Sequence, residues 1–203
     1  MTERFAGKDI GEHDWHSGEY VNHWIESDIT RDAERRPVLQ RMLALAPFGS
    51  DAEIKVLDVG AGYGLLSEEV LNAFPRARVT AIDYSEPMAE HARKRLAGRP
   101  VTYLMIDLSD PAWSAKAGGP FELVVSGLAL HNLESESLIK NCYRSIFRLL
   151  RPGGLMLDYD LLGLVSGGVE THLRWLREAG FERVECTWEQ APVAVVAARV
   201  PPR

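Results

Sequence analysis

Apolar and polar positions follow two rhythms along most of the chain. Runs of strand length recur at 54–59 (IKVLDV), 79–83 (VTAID), 101–106 (VTYLMI), 121–126 (FELVVS) and 155–160 (LMLDYD). Between them lie segments of helical period. The clearest sets Leu138, Ile139, Cys142, Ile146, Leu149 and Leu150 on one face at spacings of three and four. Another starts at Ser85, a good N-cap, with Pro87 in its first turn and Met88, Ala92 and Leu96 on one stripe. Strands alternating with helices read as βαβ units, hence a parallel sheet covered on both faces. After LMLDYD a helix is expected over 169–179, ended by Gly180, and then two strands at 181–188 (FERVECTW) and 192–199 (PVAVVAAR). The link EQA between them is too short for a crossover helix, so that pair must be antiparallel. The expected architecture is a doubly wound, mostly parallel seven-stranded sheet ending in an antiparallel hairpin.

Residues 1–36 break this rhythm. They hold His13, His16, His23, Trp15 and Trp24 among many charges, and the amphipathic stretch EYVNHWIESDI places Tyr20 and Trp24 four apart on one helix face. We read 1–36 as a helical lid segment ahead of a domain at 37–203, with Tyr20 and Trp24 either closing over a ligand or packing the helix down. The three histidines fit no common metal spacing and have no cysteine near, so no metal is expected. With 23 basic and 29 acidic residues the 203-residue chain has a net charge of −6, which disfavours nucleic acid and anionic membranes as partners. No stretch is long and apolar enough for a membrane span, and the first residues are too polar for a signal peptide. Cys142 and Cys186 stand far apart, as reduced thiols of a cytoplasmic protein would.

Chemistry concentrates at one edge of the expected sheet. VLDVGAGYGLLSEEV (56–70) is a strand, a glycine turn and a helix start, so Gly60, Gly62 and Gly64 let the backbone turn sharply near a ligand facing the new helix. Leu65 stands where a dinucleotide fingerprint wants its third glycine, and a P-loop lysine is missing. Asp83 closes the next strand, where an acid can accept both ribose hydroxyls of a nucleoside. Asp107 follows the third strand at the same edge.

The ordered set VLDVGAGYG, VTAIDYSEPM, MIDLSD, FELVVSGLALHNL and LRPGGLMLDYD resembles the successive motifs of class I S-adenosylmethionine-dependent methyltransferases, over about residues 54–199. The resemblance implies a Rossmann-like fold and S-adenosylmethionine as cofactor. It implies that Gly60 to Gly64 run beside the methionine portion, with Asp58 ordering that loop, and that Asp83 binds the ribose. Tyr84 and Met88 would flank the adenine, Asp107 and the Leu108 amide would read its polar edge, and the backbone at Ser126 and Gly127 would lie near the methionine amino group. Methyl transfer from a sulfonium asks the protein mainly to hold the acceptor on the S–CH₃ axis. His131, just past the fourth strand, is the candidate general base or acceptor-orienting group. Tyr159, at the end of the fifth strand, is a weaker acceptor-pocket candidate. SGLA follows the fourth strand where a base-amine methyltransferase would place an Asn/Asp-Pro-Pro-aromatic motif, so a small-molecule acceptor methylated on O, N or C is expected. A non-catalytic cofactor-binding subunit stays open as an alternative. A nicotinamide-dependent oxidoreductase is disfavoured by Leu65 and by the terminal hairpin. The oligomeric state is left open.

Overall fold

The computed structural model describes residues 13–133 and 135–202. Seven strands form one sheet: β1 Lys55–Val59, β2 Arg78–Asp83, β3 Val101–Met105, β4 Phe121–Gly127, β5 Leu150–Asp160, β6 Glu182–Gln190 and β7 Val193–Arg199. Their order is β3-β2-β1-β4-β5-β7-β6. The first five pair in parallel, and β7 runs antiparallel between β5 and β6. The hairpin is therefore antiparallel as its short link requires. Its docking follows from side-chain pattern: β7 is buried throughout Ala194–Ala198, whereas β6 is mostly exposed or half-buried, so β7 takes the inner place and β6 the edge. β5 starts earlier than its apolar run, at Leu150, and its pairing with β4 shifts register between Phe121 and Leu123.

Consecutive residues of β1 serve opposite cores, as a sheet covered on both faces demands. Leu57 and Val59 pack with Tyr143 and Ile146 of α6 (Glu136–Leu149) and Leu173 and Leu176 of α7 (Gly168–Ala179). Val56 packs on the other face with Leu66 and Val70 of α3 (Leu65–Ala73) and Met88 of α4 (Glu86–Arg95). Ser85 caps α4, its Oγ accepting from the Met88 amide at 3.2 Å.

The second core also contains Val21 and Ile25 of α1 (Gly18–Asp28) and Leu39, Met42 and Leu43 of α2 (Asp32–Leu43). A turn at Ile29–Arg31 joins these two helices, and α2 runs unbroken through positions 36 and 37, with Pro37 inside it. The N-terminal segment and the body thus share a helix and a core. No helix among the described residues is long and apolar enough to cross a membrane.

Candidate active site

A cavity of about 530 Å³ opens at the carboxyl edge of the sheet, walled by the loops after β1 to β5 and roofed by residues of the N-terminal segment. The glycines of the first loop do three different jobs. Gly60 has φ +68°, and a Cβ there would stand 2.3 Å from the Cβ of Ala129 in the loop after β4. Gly62 has φ +52° with open space around its α-carbon, and its amide donates to Asp83 Oδ2 at 2.8 Å. Gly64, φ +87°, packs against Leu96 and Ala92 near α4 and stays out of the cavity wall.

The acids beside this loop are held unequally. Asp58 is fully buried in the cavity wall; its Oδ2 accepts from Ser67 Oγ at 2.6 Å, and its Oδ1 has no hydrogen-bond partner among the described residues. Burial pushes its carboxyl up to about 7, against the lowering effect of the Ser67 bond and with help from nearby Asp83. Asp83 accepts from the Ser85 amide through Oδ1 at 2.9 Å and from Gly62 through Oδ2. Burial raises its pKa against those bonds. Met88, Asp107 and Leu108 share the wall, Asp107 Oδ1 accepting from the Ser109 amide at 2.8 Å. Tyr84 also lines it, 41% exposed, with the His16 ring edge-on at 5.1 Å. Ser126 is buried within β4, in register with Asp158 of β5; its neighbour Gly127 lines the cavity instead.

His131 lines the same cavity from a turn at Leu130–Asn132. Its Nδ1 donates to Asp160 Oδ1 at 2.5 Å, and Asp160 also accepts from the backbone amides of His131 (3.1 Å) and Leu161 (2.7 Å). Asp160 is fully buried at the end of β5; burial alone would raise its pKa, yet His131 and these donors hold it below the usual carboxylate range. Burial disfavours charge on His131, but Asp160 outweighs it and the imidazole pKa rises. An ionised carboxylate only accepts, so the proton on Nδ1 is fixed and Nε2 is the nitrogen left for the cavity. Beneath Asp160, Asp158 is buried with its pKa raised well above normal by burial and by Asp160, so this neighbour stays a neutral acid.

The roof is aromatic. Trp15 and Trp24 meet edge to face with centroids 5.2 Å apart, and His13 stacks on Trp15 at 4.8 Å. Tyr20 stays out of the wall but its phenol bonds His13 Nδ1, and His13 does line the cavity. The Trp15 carbonyl accepts from Ser85 Oγ at 2.5 Å, fastening the roof to the turn after Asp83. Tyr159 and Tyr63 complete this side; the Tyr63 hydroxyl donates to Asp32 Oδ1 at 2.7 Å, with Asp28 Oδ2 at 3.1 Å. No three His, Cys, Asp or Glu side chains among the described residues converge to hold a metal.

A family model described as a methyltransferase domain matches residues 56–154. An uncharacterized methyltransferase of Mycobacterium tuberculosis is 31% identical over 152 residues, covering 74% of this chain and 72% of that one. The chain belongs to the class I S-adenosylmethionine-dependent methyltransferases. A trans-aconitate 2-methyltransferase of Paracidovorax citrulli is 32% identical over 145 residues, 71% of this chain and 49% of that protein. The fold matches human N-acetylserotonin methyltransferase in complex with S-adenosylmethionine at a TM-score of 0.71 and 16% identity, over 97% of this chain and 61% of that one. The chain spans about half the length of several curated relatives it matches, 46–49% of theirs.

This methyltransferase's cavity fits the family's cofactor on its own terms. The buried, unpartnered Oδ1 of Asp58 would suit the ammonium group of the methionine portion, and Gly62 leaves open space beside the cavity. Asp83 keeps a lone pair on each oxygen for ribose hydroxyls. Of the residues singled out by sequence, Asp58, Gly60, Gly62, Asp83, Tyr84, Met88, Asp107, Leu108, His131, Trp24 and Tyr159 meet in one wall; Gly64, Ser126 and Tyr20 do not. Asp160, Tyr63 and the arginines Arg31 and Arg35 are the wall or supporting groups that sequence reasoning passed over, and His13, weighed there only as a metal ligand, joins them. Asp160 had a signal, since it ends a strand at the same edge as Asp83.

Proposed function

We propose that this protein transfers the methyl group of S-adenosylmethionine to a small molecule held between the glycine loop and the N-terminal roof, with His131 orienting the acceptor atom. The observation behind this reading is the His131–Asp160 pair, which shares one cavity with Asp58, Asp83 and the loop at Gly62. The cofactor, when bound, supplies a methyl already activated on a sulfonium. The chain's own work is orientation and exclusion of water. Asp58 and Asp83 hold the donor's polar groups, Trp15 and Trp24 cover the cavity, and Asp160 locks the His131 ring in one tautomer. Asp160 raises the imidazole pKa, and the imidazolium it favours presents Nε2–H as the donor that positions the acceptor. A cavity of 530 Å³ has room for a cofactor and a small acceptor together.

The test is release of S-adenosylhomocysteine in the presence of pooled small hydroxy, phenolic, carboxylic and amine compounds. His131→Asn is expected to lower kcat/KM by about a hundredfold, since a misplaced acceptor costs on that order, with the S-adenosylmethionine Kd within about twofold. Tight cofactor binding without turnover of any pool would favour the non-catalytic reading instead.

A further inference from the structure

We propose that the acceptor is an organic carboxylate, selected by Arg31 and His13 of the N-terminal segment, which share the cavity wall with His131. The inference rests on the methyl-transfer reading above and names its substrate class.

The argument comes from sorting the polar wall groups by what they have left to offer. Asp28 is spent: Arg35 reaches both of its oxygens, one at 2.7 Å, and the Tyr63 hydroxyl lies against one of them. Arg35 is correspondingly neutralised. Arg31, at the end of the turn before α2, lines the cavity, is exposed to solvent, and has no side-chain ion-pair or hydrogen-bond partner among the described residues. His13 has its Nδ1 engaged by the Tyr20 phenol, a group that burial keeps protonated and therefore able to donate. That leaves Nε2–H as the hydrogen-bonding edge of His13 toward the cavity. Burial and the charge of His131 both hold His13 neutral, which places the two rings within electrostatic reach of each other. His131 keeps one proton on Nδ1 against Asp160, and in the imidazolium that Asp160 favours its Nε2 carries a second one to offer.

The acids of the wall with a free lone pair are Asp58 in β1, Asp83 at the end of β2 and Asp107 in the loop after β3. The polar wall is therefore divided by chain segment. These acids come from the stretch 58–107 and suit the ammonium and ribose of the cofactor. The side supplied by the N-terminal segment and the loop after β4 offers cationic and N–H donor groups, in a chain whose net charge is −6. An ammonium acceptor meets no free carboxylate there and faces the charge of Arg31, and a neutral one leaves the exposed Arg31 to water alone. A carboxylate satisfies the guanidinium and the imidazoles at once. It also needs no base: one oxygen attacks the methyl carbon, the O–C bond forms as the S–C bond breaks, the electron pair stays on sulfur and no proton moves. The products are a methyl ester and neutral S-adenosylhomocysteine.

The experiment titrates tricarballylate, benzoate and their amides into the S-adenosylhomocysteine-loaded full chain by calorimetry, and follows turnover with the same compounds. The expected result is that at least one acid binds while its amide does not. Arg31→Gln should weaken that binding about ten- to a hundredfold, as loss of a charge-assisted bond does, with Arg31→Lys recovering part of it. His13→Gln should weaken it less, and the cofactor Kd should stay put in all three. Turnover should give an alkali-labile ester, with the Arg31→Gln defect in KM and not in kcat. Amides binding as well as acids, no acid binding at all, or acid binding indifferent to Arg31 would each overturn the proposal. Arg31-dependent acid binding with no methylation would sink the methyl-transfer reading and leave the carboxylate site standing.

Discussion

At Asp58 one carboxylate oxygen is held by Ser67 and the other faces the cavity wall without a partner among the described residues, which is costly for a fully buried acid. Its pKa near 7 follows: in the free protein the carboxyl is largely protonated below neutrality. An ammonium ligand pairs only with the ionised form, so binding must expel that proton. The Kd for S-adenosylmethionine is therefore expected to rise by up to about tenfold per pH unit as the pH falls from 7 to 5. Asp58→Asn should bind weakly throughout and show a much shallower slope, which Asp83 alone would supply. A wild-type Kd independent of pH across that range would remove Asp58 from the ammonium site. Glycine, aspartate and strand-end spacing were enough to single out Asp58, Gly60, Gly62 and Asp83, which the fold brings to one cavity, but the family resemblance had Asp58 ordering the loop and not meeting an ammonium group. His13 was not legible in the same way, because a lone histidine near the N-terminus takes its meaning from Tyr20, Trp15 and His131, which only folding brings beside it.

The helices α1 and α2 show how an element expected as a lid becomes part of the body. Tyr20 and Trp24 were legible as one face of an amphipathic helix, and the structure gives that helix a second apolar pair, Val21 and Ile25, both buried with Leu39 and Leu66. Charge pairs bind it further. Arg95 of α4 reaches Asp32 at 2.9 Å and stacks over the Tyr63 ring at 4.8 Å, while Arg36 pairs with Glu68 and Glu69 of α3. Such pairings between distant segments leave no periodic trace, so a boundary at Pro37 looked natural although α2 continues through it. Ile25→Ala should consequently cost about 2–5 kcal/mol and lower the Tm by at least about 4 °C. A thermal melt unchanged by this substitution would mean that α1 only rests on the domain. The inner strands β1, β4 and β7 were read correctly because two-sided burial makes each a mostly continuous apolar run. The place of β7 inside β6 was not read, although the greater apolarity of PVAVVAAR had that information in it.

Across the whole molecule the buried titratable groups set a preferred pH. The His131–Asp160 pair stabilises fully below about pH 6.5 and weakens as the pH climbs through the raised His131 value, while Asp160 keeps its part down to below about 4. Asp58 and Asp158 hold protons in the folded state that an unfolded chain releases above about pH 4, so both erode stability as the pH rises. His172, lowered to about 4 by burial, opposes them on the acid side, because the unfolded chain protonates it first. The apo protein should therefore melt highest near pH 6 and lose Tm steadily toward pH 8.5, with Asp58→Asn flattening the decline. A Tm that climbs over that interval would contradict the assignment. The division of the cavity by chain segment has a further consequence, for how such a protein acquires new substrates. The wall residues proposed for the cofactor come from one continuous stretch, 58–109, and the remaining wall residues from the two stretches that flank it. Recombination within the exposed connection at 47–53 could exchange the first flank and leave the cofactor clamp intact. The tolerated donors are those whose α2 still offers a cation to Glu69, a nearly buried acid that Arg36 and Gln40 now satisfy and that an arbitrary graft would strand.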